Sequence, residues 1–263
     1  MTLTPPTPPD YPQGHNLLTG RGVVVTAAAG TGIGFATAKR AIEEGARVVV
    51  SDWHERRLGE AVEKLNAIGG AEVHSVVCDV TNEEQVQALV TRSADLLGGI
   101  DVLVNNAGLG GEVNLVDMTD EQWDAVMGVT LTGTMRCTRA ALKHMMPRRT
   151  GAIVNNSSVI GWRAQAGQAH YAAAKAGVMA LTRTAAVEAA PAGVRVNCVA
   201  PSLAMHEFLA KVSRQDFLDE LVGREAFGRA AEVWEVANVI MFLASDLSSY
   251  MTGEVVAVSS QRA

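Results

Sequence analysis

Cysteine is scarce in this sequence. Only Cys78, Cys137 and Cys198 occur among 263 residues, and they are far apart, odd in number and surrounded by apolar neighbours. This pattern does not predict a disulfide framework, and neither these cysteines nor the histidines have the spacing of a zinc site. We therefore expect three reduced core residues in a cytoplasmic protein, with no bound metal.

Long apolar runs and blocks of like charge are missing as well. No segment approaches the roughly 18 consecutive apolar residues that span a membrane, and the first residues lack the layout of a signal peptide. The net charge is -6, and basic residues form nothing larger than pairs such as Arg56-Arg57 and Arg148-Arg149. The sequence therefore predicts neither a membrane span nor a nucleic-acid-binding surface.

Proline is concentrated at the start of the chain. Five of the eight prolines fall within the first 12 residues, among Thr, Asp and Gln. This composition favours a loose tail over residues 1–16, with an arm across a neighbouring subunit as the alternative. Because the chain is 48% hydrophobic and 19% charged, we expect residues 17–263 to form one domain around one large core.

Short β-branched runs alternate with longer amphipathic stretches from residue 22 onward. The predicted strands are residues 23–26, 47–51, 73–77, 102–105, 152–156, 195–200 and 254–258. The predicted helices are residues 32–44, 55–68, 83–97, 120–146, 171–190 and 233–244, and two of them start with capping boxes, Thr81 with Glu84 and Thr119 with Gln122. Apolar strands separated by helices predict a doubly wound, Rossmann-like α/β domain with a seven-stranded parallel sheet.

The turn after the first predicted strand is rich in glycine. It contains Gly30, Thr31, Gly32, Ile33 and Gly34. Glycines let a pyrophosphate approach the backbone, and the N-terminus of the following helix attracts its charge. Asp52 ends the next strand, where a carboxylate binds an adenosine ribose and repels a 2′-phosphate, and Trp53 rather than a basic residue follows it. We therefore expect a dinucleotide cofactor, with NAD favoured over NADP.

A candidate proton-transfer pair lies in the fifth predicted helix. Tyr171 and Lys175 are four residues apart and share one helix face, and Ser158 ends an apolar strand thirteen positions upstream of Tyr171. A phenol has a reference pKa of about 10, and a cation about 5 Å away supplies roughly 3 kcal/mol at an effective dielectric of about 20. We therefore expect Lys175 to lower the pKa of Tyr171 enough for acid–base catalysis near neutral pH.

Assembled, these motifs resemble the short-chain dehydrogenase/reductase family over nearly the whole chain beyond the tail. The shared motifs are Gly30-x-Gly32-Ile33-Gly34, Cys78-Asp79-Val80, Asn105-Asn106-Ala107-Gly108, Ser158, Tyr171-x-x-x-Lys175 and Pro201-Ser202. The resemblance implies further cofactor contacts at Asp79 and Val80 on the adenine, at Asn106, Ala107 and Gly108 beneath the cofactor, and at Pro201 and Leu203 on the nicotinamide. It also implies a homo-oligomer, in many members a tetramer that assembles through the two long helices.

The sequence departs from the family pattern at several positions. The glycine-rich loop is one residue longer, with Ala27 where a glycine is expected. Thr130 replaces the asparagine of a catalytic tetrad and is the fourth candidate catalytic residue. Ser202 and His206 replace the usual glycine and threonine after Pro201. Residues 203–228 form a predicted lid, and the candidate substrate contacts are Trp162, His206 and Phe208.

The resemblance implies reversible hydride transfer between nicotinamide and a small-molecule alcohol or ketone. In oxidation Tyr171 would take the hydroxyl proton and Ser158 would hold the same oxygen. Lys175 would also bind the nicotinamide ribose, and Tyr171 would contact the cofactor as well. An apolar lid suits a hydrophobic substrate, steroid-like or an acyl thioester, and the loop resembles that of actinobacterial members associated with sterol breakdown. The alternatives are a 3-oxoacyl-thioester reductase and, in another class, a non-catalytic nucleotide-sensing regulator.

Overall fold

Seven parallel strands form one sheet in the computed structural model, which describes residues 5–69, 72–212 and 215–261. The described residues form nine strands in all: β1 (Gly22–Thr26), β2 (Arg47–Asp52), β3 (Val73–Val77), β4 (Val102–Asn105), β5 (Gly151–Asn156), β6 (Val194–Pro201), β7 (Ala204–Met205), β8 (Ala231–Glu232) and β9 (Val255–Val258). The large sheet has the order β3-β2-β1-β4-β5-β6-β9, and β7 pairs with β8 separately. The predicted doubly wound fold is confirmed, and the β7–β8 pair is an addition that the sequence did not predict.

Nine helices occur in the described residues. They are α1 (Ile33–Glu43), α2 (Glu55–Asn66), α3 (Glu83–Leu97), α4 (Asp120–Met127), α5 (Thr134–Arg148), α6 (Ala169–Ala189), α7 (Glu207–Val212), α8 (Gln215–Gly223) and α9 (Val233–Ala244). None of them combines the length and apolar character needed to cross a bilayer.

The central strands are apolar on both sides because both faces of the sheet are covered. In β1, Val23 and Val25 join the core formed with α1, α2 and α9, whereas Val24 points into the core formed with α3, α5 and α6. This two-residue alternation explains why the strands read as continuous apolar runs. Cys78, Cys137 and Cys198 are free and buried, as predicted.

Residues 120–146 are helical, as predicted, but they are not one regular α-helix. A π-helical turn, Gly128–Gly133, separates α4 from α5. At its end, the Thr134 hydroxyl donates to the carbonyl of Thr130 at 2.7 Å. Wide turns of this kind are often found at functional sites, and this one places Thr130 beside the loop that follows β4.

One of the two predicted capping boxes is wrong. Thr119 and Gln122 form the expected reciprocal box at the start of α4. At α3, however, the capping residue is Asn82, whose side chain accepts from the backbone N–H of Gln85 at 3.1 Å. Thr81 instead donates its hydroxyl to Asp79 at 2.7 Å, because that carboxylate lies two residues before it in the loop after β3.

The described part of the N-terminal tail lies on its own domain, where a loose segment was predicted. The Tyr11 hydroxyl donates to Glu43 at 2.6 Å, and the ammonium of Lys39 lies 4.3 Å from the centre of the Tyr11 ring. Glu44, which forms a buried ion pair with Arg40 at 2.6 Å, accepts from the backbone N–H of His15. The aromatic ring and these charges therefore tie the tail to the end of α1, and the boundary at residues 16 and 17 stays a prediction.

Candidate active site

The loop after β4 forms the floor of the candidate site. The hydroxyl of Thr26, at the end of β1, accepts from the backbone N–H groups of Asn106 at 3.0 Å and Ala107 at 3.1 Å. The Asn106 side chain donates to the carbonyl of Ala27 at 3.0 Å. A Cβ at Gly34 would lie 2.4 Å from that carbonyl oxygen, so only glycine lets α1 start this close to the floor.

The lengthened glycine-rich loop is held by β2. Ala27 has a φ of 50°, the left-handed region that favours glycine, which explains why the family pattern has glycine at this position. The backbone N–H of Ala29 donates to Asp52 at 3.3 Å, and that of His54 donates to the other carboxylate oxygen at 3.0 Å. Asp52 is buried, so its carboxylate both closes the loop and places negative charge at the end of β2.

The remaining predicted cofactor residues surround the same crevice. Gly30 is exposed, and Thr31, Gly32 and Ile33 are half-buried at the start of α1. Val80 is buried, whereas Asp79 is exposed and accepts from the backbone N–H of Thr81 at 2.8 Å. These positions line the carboxyl ends of the strands, where dinucleotides bind in sheets of this kind, and a helix N-terminus and close glycines fit a pyrophosphate there.

Ser158, Tyr171 and Lys175 come together beyond the end of β5. The Lys175 ammonium lies 5.5 Å from the centre of the Tyr171 ring and donates to the carbonyl of Asn156 at 2.6 Å. Ser158 is buried, and its hydroxyl accepts from the backbone N–H of Ile160 at 3.3 Å. The three candidate catalytic side chains therefore lie together, with Tyr171 between Ser158 and Lys175.

The predicted lowering of the Tyr171 pKa is wrong for this structure. Burial raises the pKa of Tyr171 to about 12, and the hydrogen bond with Ser158 offsets only part of that increase. Burial also lowers the pKa of Lys175 to about 8, against a smaller opposing effect of Cys198. Desolvation penalises whichever form is charged, so at neutral pH Tyr171 is a phenol and Lys175 is mostly an ammonium.

Thr130 is clamped to the loop after β4. Its hydroxyl accepts from the backbone N–H of Leu109 at 2.9 Å and donates to the carbonyl of the same residue at 3.1 Å. A Cβ at Gly108 would lie 3.3 Å from the ammonium of Lys175 and 3.8 Å from the Thr130 hydroxyl. Thr130 therefore holds the loop after β4 in place over Lys175, and its observed contacts position that loop.

The remaining candidate substrate and nicotinamide contacts lie in the predicted lid and in the segments beside it. The His206 ring lies against the glycine-rich loop, 3.6 Å from where a Cβ would stand on Gly32. Trp162 is half exposed after Ser158. Pro201 and Leu203 are buried, and the Leu203 carbonyl accepts from the N–H of Ala231 at 2.8 Å. Phe208 belongs to α7, but its side chain is outside the described part of the chain.

Two residues at the end of β5 were missed by the sequence analysis. Asn156 accepts from Lys175 with its carbonyl, and its side chain donates to Asn106 at 2.9 Å. The Ser157 hydroxyl donates to the carbonyl of Lys175 at 2.8 Å. In the sequence, only their position just before Ser158 could have indicated them. Every residue has a backbone carbonyl, so the residue type does not reveal which carbonyl accepts from Lys175.

Comparison with known proteins agrees with this geometry. A family model described as enoyl-(acyl carrier protein) reductase matches residues 27–260. The chain belongs to the short-chain dehydrogenase/reductase family. This short-chain dehydrogenase/reductase is an oxidoreductase.

The similarity extends over nearly whole chains. A Mycobacterium tuberculosis protein named (5R,7aS)-5-hydroxy-7a-methyl-1-oxo-2,3,5,6,7,7a-hexahydro-1H-indene-carboxyl-CoA reductase is 61% identical over 249 residues, covering 94% of this chain and 95% of its own. A 3-oxoacyl-(acyl-carrier-protein) reductase of Thermotoga maritima is 41% identical and covers 92% of this chain and 97% of its own. The crystal structure of a short chain dehydrogenase from Mycobacterium smegmatis has a TM-score of 0.87 at 59% identity, covering 97% of this chain and 98% of that chain.

Proposed function

We propose that this short-chain dehydrogenase/reductase reduces a ketone on an apolar, ring-containing acyl-coenzyme A, with NADH as the reductant. The observation that carries the proposal is the meeting of Tyr171, Ser158 and Lys175 beyond β5, where the Tyr171 phenol keeps its proton at neutral pH. A protonated acid is what carbonyl reduction requires. The name of the M. tuberculosis relative supports the substrate class, since the two chains are 61% identical.

The chain's own side chains account for the proton. Tyr171 donates its hydroxyl proton to the carbonyl oxygen of the ketone, and Ser158 donates a hydrogen bond to the same oxygen. The Lys175 ammonium then stabilises the phenolate that forms, because a charge pair is strong in a buried site. Bound nicotinamide supplies the hydride. The carbonyl of Asn156 holds the Lys175 ammonium in place. The hydroxyl of Thr130 holds the loop after β4, which lies over that ammonium.

A simpler 3-oxoacyl-thioester reductase is the second candidate. It is supported by the 41% identity with the Thermotoga maritima reductase. The two functions differ in the bulk of the ketone, so the deciding experiment follows NADH absorbance with a fused-ring keto acyl-CoA and with acetoacetyl-CoA. Our proposal expects a clearly higher kcat/KM for the ring substrate. The opposite order would favour the simpler reductase, and inertness toward both substrates would contradict both functions.

The predictions of a homotetramer and a cytoplasmic location stay predictions.

We further propose that Asp52 selects NADH over NADPH. Its buried carboxylate would accept from the adenosine ribose and repel a 2′-phosphate. Replacing Asp52 by Asn removes the charge and keeps one oxygen for the loop N–H groups, so the ratio of the NADPH to the NADH dissociation constant should fall about tenfold. Fluorescence titration measures both constants. The control is Asp95→Asn on the exposed face of α3, and an unchanged ratio in Asp52→Asn would refute the assignment.

We also propose that His206 contacts the cofactor pyrophosphate. Its Nδ1 accepts from the backbone N–H of Leu209 at 3.4 Å, and its Nε2 lies beside Gly32 at the start of α1, 3.6 Å from where a Cβ would stand. Burial lowers the pKa of His206, so the ring is neutral at pH 7. The predicted substrate contact at His206 stays an alternative.

The His206 proposal predicts a change in cofactor affinity. His206→Ala should raise the NADH dissociation constant about fivefold, because one neutral hydrogen bond to a charged oxygen is lost. Because the lowered pKa keeps the His206 ring neutral at both pH 7 and pH 8, the dissociation constant should rise by a similar factor at the two pH values. His206→Thr restores a hydroxyl donor and should recover part of the loss. A normal NADH constant in His206→Ala, with a raised ketone KM, would support the substrate contact instead.

A further inference from the structure

A second cavity opens next to the loop that carries Ser158. Its volume is about 490 Å³. One wall is the chain just after Ser158, with Ile160 and Arg163, and the other is the end of α8 with Arg224. Because the backbone N–H of Ile160 donates to the Ser158 hydroxyl at 3.3 Å, this cavity and the proposed catalytic serine share one turn of chain.

Two guanidinium groups line this cavity, and their partners differ. Arg224 forms an ion pair with Glu220 and donates to the side-chain oxygen of Gln165. Arg163 donates to the side-chain oxygen of Gln261 at 2.5 Å. That amide is neutral, and Arg163 has no acidic partner within the part of the chain that the structure describes. The direct protein contact of Arg163 is therefore uncharged, and the nearest carboxylate that the structure shows, Glu225, lies on the far side of this amide.

A buried carboxylate aims the Arg163 guanidinium. Glu225 is 5% exposed and accepts from the Ser260 hydroxyl at 2.8 Å and from the Gln261 side-chain nitrogen at 3.1 Å. Because Glu225 uses the nitrogen of this amide, the amide oxygen faces Arg163. A guanidinium has five N–H donors, and this contact occupies one. The others are available to an anion in the cavity.

We propose that Arg163, with Arg224 beside it, binds a phosphate of the coenzyme A arm of the substrate, and that Gln261 and Glu225 are positioning residues. The inference rests on the proposed function, because the acyl-coenzyme A class supplies the anion. Guanidinium groups bind phosphate oxygens through paired N–H donors. The charged and amide side chains suit this polar arm, while the fused rings occupy the Tyr171 side of the turn.

The main test compares three forms of one bicyclic keto acid: the coenzyme A thioester, the pantetheine thioester and the free acid. Arg163→Gln should raise KM for the coenzyme A thioester about tenfold and leave kcat within about twofold, because a charged hydrogen bond to the distant arm is lost. The KM of the pantetheine thioester, which has no phosphate, should not change. The matched control is Arg183→Gln, an arginine that lines a separate cavity.

Binding of coenzyme A itself gives a readout that needs no turnover. Arg163→Gln should weaken coenzyme A binding to the enzyme about tenfold in a calorimetric titration, and the wild-type affinity should fall as salt concentration rises. Gln261→Leu, which removes the aiming amide, should weaken it about threefold without changing the NADH constant.

Three results would overturn the inference. One is an equal rise in KM for both thioesters in Arg163→Gln, which indicates general damage near Ser158. Another is a rise in KM for the free acid in Arg163→Gln, which indicates that Arg163 binds the carboxylate. The third is unchanged coenzyme A binding in Arg163→Gln. If wild-type enzyme binds coenzyme A through Arg163 but reduces none of the ketones, the proposed reaction fails while this anion site stands.

Discussion

Replacing Tyr171 by Phe should lower kcat for ketone reduction about a thousandfold, within the range that a positioned proton donor contributes to catalysis. The ring remains, so packing is kept, and only the hydroxyl that touches Ser158 is lost. The NADH dissociation constant should rise no more than about fivefold, since at most one neutral hydrogen bond is lost. Stopped-flow measurement of NADH oxidation separates this chemical step from binding.

The control for this change is Tyr250→Phe, which removes a hydroxyl from a fully exposed tyrosine after α9. It should have the wild-type rate. A Tyr171→Phe protein that reduces the ketone at the normal rate would remove the basis of the proposed function, because no other acid is proposed here. Loss of activity together with loss of NADH binding would instead indicate a disturbed site.

Replacing Lys175 by Met should lower kcat/KM for reduction about a hundredfold, a loss of about 2.7 kcal/mol of transition-state stabilisation. The ammonium is the only cation that the described structure places against the Tyr171 ring, and without it the phenolate formed in the reaction lies unpaired in a buried pocket. Methionine has a similar length and removes the cost of burying a charge, so the melting temperature should change little. Lys143→Met on the exposed face of α5 is the matched control.

The pH profile tests the same role of Lys175 without a structural change. Because burial lowers the pKa of Lys175 to about 8, its ammonium is present below that pH and is lost above it. Wild-type kcat/KM for reduction should therefore fall as pH rises through about 8, and Lys175→Met should lack this alkaline decline. A decline that persists unchanged in Lys175→Met would assign it to another group.

Much of the fold follows from local patterns. Helices α3 and α9 begin and end where the sequence predicts, because apolar spacing and flanking residues define them. The seven large-sheet strands follow from their apolar runs. The lid helices α7 and α8 were not predicted, since short helices depend on packing more than on their own propensity. The mistaken cap at Thr81 has a similar cause: Asp79, two residues away, competes for its hydroxyl.

Part of the candidate site could likewise be predicted from local patterns, and part could not. The spacing of Tyr171 and Lys175 by one helical turn already predicted that they share a face, and the floor residues at Asn106 to Gly108 were recognised by their motif. The position of His206 over Gly32 and the amide that aims Arg163 link segments far apart in the sequence. No local pattern specifies such contacts.

The sequence by itself determined the fold class, the family and the residues that meet beyond β5, because strand alternation and helical spacing are properties of neighbouring residues. Only the tertiary structure decided in which protonation state those residues meet. The pKa of Tyr171 rises because distant segments remove water from its hydroxyl, and that desolvation outweighs the hydrogen bond with Ser158. Burial is a property of the whole molecule, so the protonation state in which Tyr171 meets a substrate follows from the packed fold.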